Sequence, residues 1–188
     1  MDMLTPDERS VWSAMQGELR DYVPNAQFPD DAAAKLCIAE ALAALDEGNF
    51  GIGAVLLDPE GRVANTNHNR VFAPHFRSDA HAEMMVVNTF EELCSNHSLR
   101  GYTLYTSLEP CPMCMARLIT SGISRVFHVA DDQNAGMVHL AHQLPLVWQS
   151  LAERQRFKLA RCSPALKALA TKAFMLNVAR LDKKLCAR

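Results

Sequence analysis

The sequence predicts an α/β fold: a sheet held between helical layers, with parallel crossovers in its second half. Two observations lead there. Between about residues 50 and 130, strand-like and helix-like segments alternate instead of clustering. A tight turn joins the first two strands, whereas each later strand follows a helix, the connection that parallel neighbours require.

The elements follow in order. Residues 5–20 read as a helix, with Thr5 as cap, Pro6 in the first turn, and Val11, Trp12, Met15 and Leu19 on one face. Residues 21–30 hold two prolines and connect it to an Ala-rich helix that starts at Asp30 or Asp31 and ends before Gly48. Residues 52–57 and 62–67 form a hairpin across the turn Asp58-Pro59-Glu60-Gly61. After a loop over 68–80, residues 82–94 have helical spacing and 102–108 alternate as a strand. Residues 111–120 form a helix stopped near Gly122, and 124–129 form another strand. Beyond them come a loop (131–143), a helix (145–154), a strand (157–160) and one helix over 164–184.

A chain of 188 residues, 49% apolar and 21% charged, suits one packed domain. No run approaches the ~20 apolar residues of a membrane span. The first thirty residues lack the basic start and apolar run of an export signal, so the cytoplasm is expected. In that compartment the six cysteines are thiols or metal ligands rather than disulfides. Only Cys111 and Cys114 are closely spaced; Cys37, Cys94, Cys162 and Cys186 read as buried small residues or incidental thiols. Charge is uneven. Residues 1–50 carry ten acids and three bases, and residues 154–188 carry ten bases and one acid. Either the two ends pack together, or the C-terminal helix offers a nucleic-acid surface.

Two segments carry chemistry: Ala80-His81-Ala82-Glu83 and Glu109-Pro110-Cys111-Pro112-Met113-Cys114. One imidazole and two thiolates are good zinc ligands, and three protein ligands leave a fourth position for water, as catalytic zinc sites do. Cys111 and Cys114 lie one helical turn apart, so both sulfurs can face the same way from a helix start that Pro110 and Pro112 suit. His81 opens the helix that continues through Met84, Met85, Val86 and Val87. Two helix N-termini aimed at one metal favour thiolate over thiol. Glu83 is placed to take a proton from water and hand it to a ring nitrogen and a leaving amine. Each pair alone is a weak signal; together, in this order, they are specific.

On these residues the chain resembles the cytidine-deaminase-like zinc deaminase superfamily, especially the branch of bacterial tRNA adenosine deaminases and guanine deaminases. The resemblance runs from about Phe50 to Val129. It includes Gly51-Ile52-Gly53-Ala54-Val55, His68-Asn69-Arg70-Val71, the His81 segment, the run from Leu104 to Cys114, and Ser124-Arg125-Val126. It implies a three-layer α/β/α sandwich around a central mixed five-stranded sheet, in one domain of three parts. These are a helical extension (1–48), a zinc-deaminase core (50–130), and a segment for specificity and dimer contacts (131–188). It further implies Zn2+, a homodimer, Asn69 hydrogen-bonded to the substrate ring, a backbone amide at Ala54 meeting the base, and a structural Glu109 tying the loop before the cysteines. Phe72, with His68 and His75, lies in the loop before His81 and is a candidate to stack on the ring. Asp131 and Asp132 are candidates to bind a ring nitrogen or amine, as an acid does in guanine deaminases. Trp148 and Glu153 are candidates to close the site, from this subunit or its partner. Met84, Met85 and Met113 read as core.

Two departures stand out. Gly51 replaces a proline common in the family, with little consequence expected. Asp131-Asp132-Gln133-Asn134-Ala135-Gly136-Met137 replaces the Lys-Thr-Gly-Ala-type stretch of tRNA-editing enzymes. With the long acidic N-terminal region, the second departure favours a small substrate. The expected activity is hydrolytic removal of the exocyclic amine of a free nucleobase or nucleoside, guanine first and cytosine or cytidine second. Adenosine in tRNA is the alternative. A zinc domain that binds without catalysing is a third, against which Glu83 argues.

Overall fold

The structure, a computed structural model, describes residues 4–94 and 98–188. Helix α1 (Pro6–Asp21) starts at a full capping box: Thr5 Oγ1 accepts the Glu8 amide, and the Thr5 amide donates to the Glu8 carboxylate. Helix α2 (Asp31–Asp46) is alanine-rich and buried around most of its circumference, because it lies between the sheet and two other helices. Asp30 occupies its N-cap position without capping it; that carboxylate instead accepts the Tyr105 hydroxyl and the Arg161 amide.

Strands β1 (Gly53–Leu57) and β2 (Val63–His68) form the hairpin, followed by α3 (Ala82–Leu93), β3 (Thr103–Leu108), α4 (Pro112–Ser121) and β4 (Arg125–Ala130). A 3₁₀ turn, α5 (Leu146–Ala152), β5 (Arg156–Leu159), α6 (Pro164–Met175) and α7 (Val178–Cys186) complete the chain. The sheet has five strands in the order β2-β1-β3-β4-β5. β1 pairs antiparallel with β2 and β3, and β3, β4 and β5 run parallel. One face packs on α1, α2 and α6 through Ile38, Leu42, Val55, Val129 and Leu166; the other packs on α3 and α4 through Leu56, Val86, Leu104, Leu118 and Val126. β3 is buried at every position, as the central strand of a sheet covered on both faces must be. The expected three-layer sandwich is thus the observed one.

The single C-terminal helix expected over 164–184 is two helices. The chain breaks at Leu176 and Asn177, where the Asn177 side-chain amide donates to the Asn49 carbonyl, 128 positions away in sequence. This tertiary bond turns α7 back across the molecule. Gly51 gains a role it was not expected to have. A Cβ there would sit 2.3 Å from the Ala173 carbonyl oxygen, so glycine lets the α6 backbone lie directly against the start of the hairpin. Met113 is exposed at 37%, not core.

The two ends of the chain do pack together. The Arg180 guanidinium is 3.1 Å from the Glu8 carboxylate, and Asp31 accepts the Ser163 amide. No helix among the described residues is long and apolar enough to cross a membrane.

His68 does not face the loop that precedes His81. Its Nδ1 lies 2.7 Å from Glu40 Oε2, and its Nε2 lies 3.1 Å from Glu47 without hydrogen-bond alignment. Burial works to lower its pKa, but the two carboxylates outweigh that and raise it; Glu40 is lowered in turn, chiefly by its bond to His68. A raised histidine stabilises the fold fully below its unfolded value of about 6.5, and that stabilisation is lost as pH rises through the folded value. The unfolding free-energy gap between the wild type and Glu40→Gln is therefore expected to shrink by about 1 kcal/mol between pH 6 and pH 9. Urea titrations at the two pH values measure it; an unchanged gap would contradict the pairing.

Candidate active site

A cavity of about 210 Å³ opens at the C-terminal end of β3, where α3 and α4 begin. His81 is the N-cap residue of α3 and Cys111 that of α4, both in extended backbone, so each helix starts with its amide end toward the cavity. Neither side chain caps its helix, which leaves both free to face inward. Cys114 follows one turn into α4 and is fully buried.

The ligand atoms of His81, Cys111 and Cys114 lie within 4.8 Å of one another. Cys111 Sγ is 3.6 Å from His81 Nδ1. One imidazole and two sulfurs in a half-buried pocket fit zinc, with a further position left toward the cavity. The sulfur of Cys114 and the imidazole of His81 together hold the Cys111 thiol down at about 4, against the opposing pull of burial. Cys114 is pushed up, first by sharing a proton with Cys111. A proton shared between two sulfurs is what a divalent cation displaces.

Glu83 lies on the first turn of α3 and is 4% exposed. The Thr106 hydroxyl donates to its Oε1 at 3.3 Å, and Cys114 Sγ lies 3.4 Å from its Oε2. Burial raises its pKa above the usual carboxylate value, the direction that suits a group that must both take and give a proton. Asn69 is fully buried on the cavity wall. Its Oδ1 accepts the Val71 amide, which orients the side chain, while its Nδ2 has no partner among the described residues. That leaves its two N–H donors unpaired beside the cavity.

Glu109 is structural, though it ties a different loop from the one expected. Its carboxylate accepts the amides of Asp132 and His139 and lies 2.8 Å from His139 Nδ1, so it organises the segment after β4. Asp132 is thereby brought to the cavity wall.

Other sequence-derived candidates stand elsewhere. Ala54 is buried in β1, between Asn67 and Thr106, and does not line the cavity. Phe72 stands in a row with Phe50 and Phe76, at centroid distances of 5.6 and 5.9 Å. Above the row, Lys184 of α7 sits over Phe72 and Arg188 over Phe76, so these rings hold the C-terminus down. His75 is exposed in this loop. Asp131 turns outward to His128. Trp148 and Glu153 lie on or just after α5, which packs on α4, and neither reaches this cavity.

Sequence reasoning missed the opposite wall. Phe174, Asp182 and Leu185, from α6 and α7, face the metal-ligand cluster across the cavity. One signal was available: Asp182 is the single acid among the ten bases of residues 154–188.

Residues 29–130 match the cytidine and deoxycytidylate deaminase zinc-binding region. The chain is 37% identical over 107 residues to a tRNA-specific adenosine deaminase of Bacillus subtilis, covering 57% of this chain and 65% of that one. It is 32% identical over 136 residues to the enzyme of the same name from Agrobacterium fabrum, covering 68% and 88%. The chain thus spans just under two thirds of the first relative's length. Among solved structures, one from work on A-to-I editing by tRNA:A34 deaminases is 29% identical, with a TM-score of 0.59, covering 68% of this chain and 96% of that one. The guanine deaminase of Nitrosomonas europaea is 20% identical and shares the fold, with a TM-score of 0.61 over 92% and 94%. The matched region contains every residue of the His-Cys-Cys cluster and Glu83, and with it the chain belongs to the cytidine and deoxycytidylate deaminase family of zinc-dependent hydrolytic deaminases.

Proposed function

We propose that the protein deaminates a free nucleobase or nucleoside, with guanine the first candidate and cytosine or cytidine the second, and that His81, Cys111 and Cys114 hold its zinc. The observation that carries the substrate reading is the roof: α6 and α7 lie across the cavity and bring Phe174, Asp182 and Leu185 to it. At about 210 Å³ the space is below the roughly 300 Å³ at which pockets for drug-sized ligands begin. It suits a single ring system. A base presented on a nucleic-acid loop must enter with its backbone attached, which this roof opposes.

When bound, zinc supplies Lewis acidity and makes a water acidic near neutral pH. The chain's own groups do the rest. Glu83 accepts one proton from water and gives it to the ring nitrogen beside the amino-bearing carbon; it then takes the remaining proton of the added hydroxyl and gives it to the departing amine, which leaves as ammonia. Asn69 Nδ2 donates to a ring acceptor and fixes the base in its plane. The carboxylates of Asp132 and Asp182 accept from N–H groups on the far edge, which favours a ring presenting an amidine or amide N–H. Guanine offers both.

Sequence similarity supports a second reading, adenosine in tRNA: both curated relatives described above are named tRNA-specific adenosine deaminases. The wall made by α6 and α7 lies beyond the matched residues 29–130. We further propose a cytoplasmic homodimer. Exposed Leu146 and Val147 on α5 support pairing of subunits.

The test is ammonia release from zinc-loaded protein given guanine, guanosine, cytosine, cytidine, adenosine or an anticodon stem-loop. Free guanine is expected to turn over, and Asp182→Asn is expected to lower kcat/KM for it about tenfold or more through one lost charged contact. Turnover of the stem-loop alone would transfer the assignment to tRNA.

A further inference from the structure

The sheet has a second hollow, on the face that packs against α2 and along β3, β4 and β5. Thr103 borders it at the start of β3, while Leu108 at the end of β3 borders the catalytic cavity. It extends along β5 and just past it, from Arg156 to Arg161, and no residue borders both hollows. The hollow measures about 370 Å³, with Leu57, Tyr105 and Phe127 as its apolar lining and Arg125, Arg156, Lys158 and Arg161 as its cations.

The placement of these cations is costly. In the parallel pair of β4 and β5, Arg125 stands directly opposite Arg156, and Lys158 lies two residues further along the same face. Like charges facing each other across strands destabilise a sheet. The nearby acids do not relieve them. Asp58 is held by Arg62 and by two backbone amides, and Asp30 accepts the Tyr105 hydroxyl and the Arg161 amide. The Arg161 guanidinium is 3.9 Å from Asp30 and 79% exposed. Arg125 is aimed by two uncharged acceptors, Thr103 Oγ1 and the Gly101 carbonyl. Among the described residues, no carboxylate makes an ion pair with Arg125, Arg156 or Lys158. A concave surface with an apolar lining and unneutralised cations is complementary to a ligand with an aromatic ring and a phosphate.

We propose that this hollow binds a phosphorylated nucleoside, separately from the catalytic cavity, with the phosphate between Arg125, Arg156 and Lys158 and the base over Phe127. A bare anion would leave the apolar lining unused. A nucleic-acid strand would have to continue past Asp30 and Asp58, which flank the hollow and repel a backbone. The site is independent of which base the catalytic cavity takes.

Calorimetric titration of the zinc-loaded full chain tests it, with GMP, guanosine, inorganic phosphate and a single-stranded oligonucleotide as probes. GMP is expected to bind saturably and at least tenfold more tightly than guanosine or phosphate. The double variant Arg156→Gln, Lys158→Gln is expected to weaken GMP binding about a hundredfold, tenfold for each lost charged contact. Both side chains are exposed and distant from the metal cluster, so zinc content and ammonia release without GMP are expected to stay at wild-type levels. Absence of saturable GMP binding would overturn the proposal, as would equal affinity in the double variant. Phosphate binding as tightly as GMP, or the oligonucleotide binding more tightly through the same two residues, would also overturn it.

Discussion

Replacing Glu83 with glutamine is expected to lower ammonia release by about 10²–10⁴-fold while the protein keeps its zinc. Glutamine preserves the size of the side chain and can still accept from Thr106, so packing at this buried point changes little. What it cannot do is carry a proton. Since the same carboxyl carries one proton from water to the ring and a second to the amine, its loss strikes both halves of the reaction. Metal analysis and a steady-state assay on the same preparation separate chemistry from binding. A Glu83→Gln protein with full zinc and near-normal turnover would remove Glu83 from the mechanism.

Replacing Cys114 with serine is expected to have the larger effect on the molecule as a whole. Zinc content falls from one per chain to near zero, and deamination falls below detection. In the wild type, zinc bound at a thousand times its dissociation constant stabilises the fold by about 4 kcal/mol. Chelation should therefore lower the melting temperature of the wild type by several degrees and leave Cys114→Ser unmoved. The geometry says why Cys114 matters more than an exposed ligand would. Its sulfur is fully buried, against Glu83 on one side and Cys111 on the other, so no water can replace it. Chelation that left both proteins equally stable would show that the cysteine is packing, not ligand.

The half of the site that local chemistry specifies was legible in the sequence. His81, Glu83, Cys111 and Cys114 belong to two short segments, and each helix start is signalled by neighbouring residues alone. Asn69 was legible only through resemblance; that its Nδ2 is left without a partner is a fact of folding. The roof was not legible. Nothing in residues 164–184 interrupts the helical period, and the break at Asn177 is made by a carbonyl at Asn49, across the whole molecule. The basic tail was read as one feature and is two. Arg156, Lys158 and Arg161 line the second hollow along β5, while Arg180, Lys184 and Arg188 fasten α7 to Glu8 and to the Phe72 and Phe76 rings. Composition cannot divide a charge run that tertiary structure divides. Phe72 was misassigned for the same reason: an aromatic beside a site is equally good as a wall or as an anchor, and only the position of α7 decides.

Gly51 carries a consequence for how related chains are sorted. Because any side chain there would collide with the backbone carbonyl of Ala173, a relative with proline at this position cannot lay its last helices on the molecule as this one does. The residue becomes a one-letter marker of architecture. Relatives that keep the metal-binding segments can be divided, from sequence alone, into those free to wear this C-terminal cap and those that must leave the catalytic mouth open or cover it by other means. The two groups are expected to differ in the size of the molecule they admit, and natural variation at position 51 is where that difference can be read.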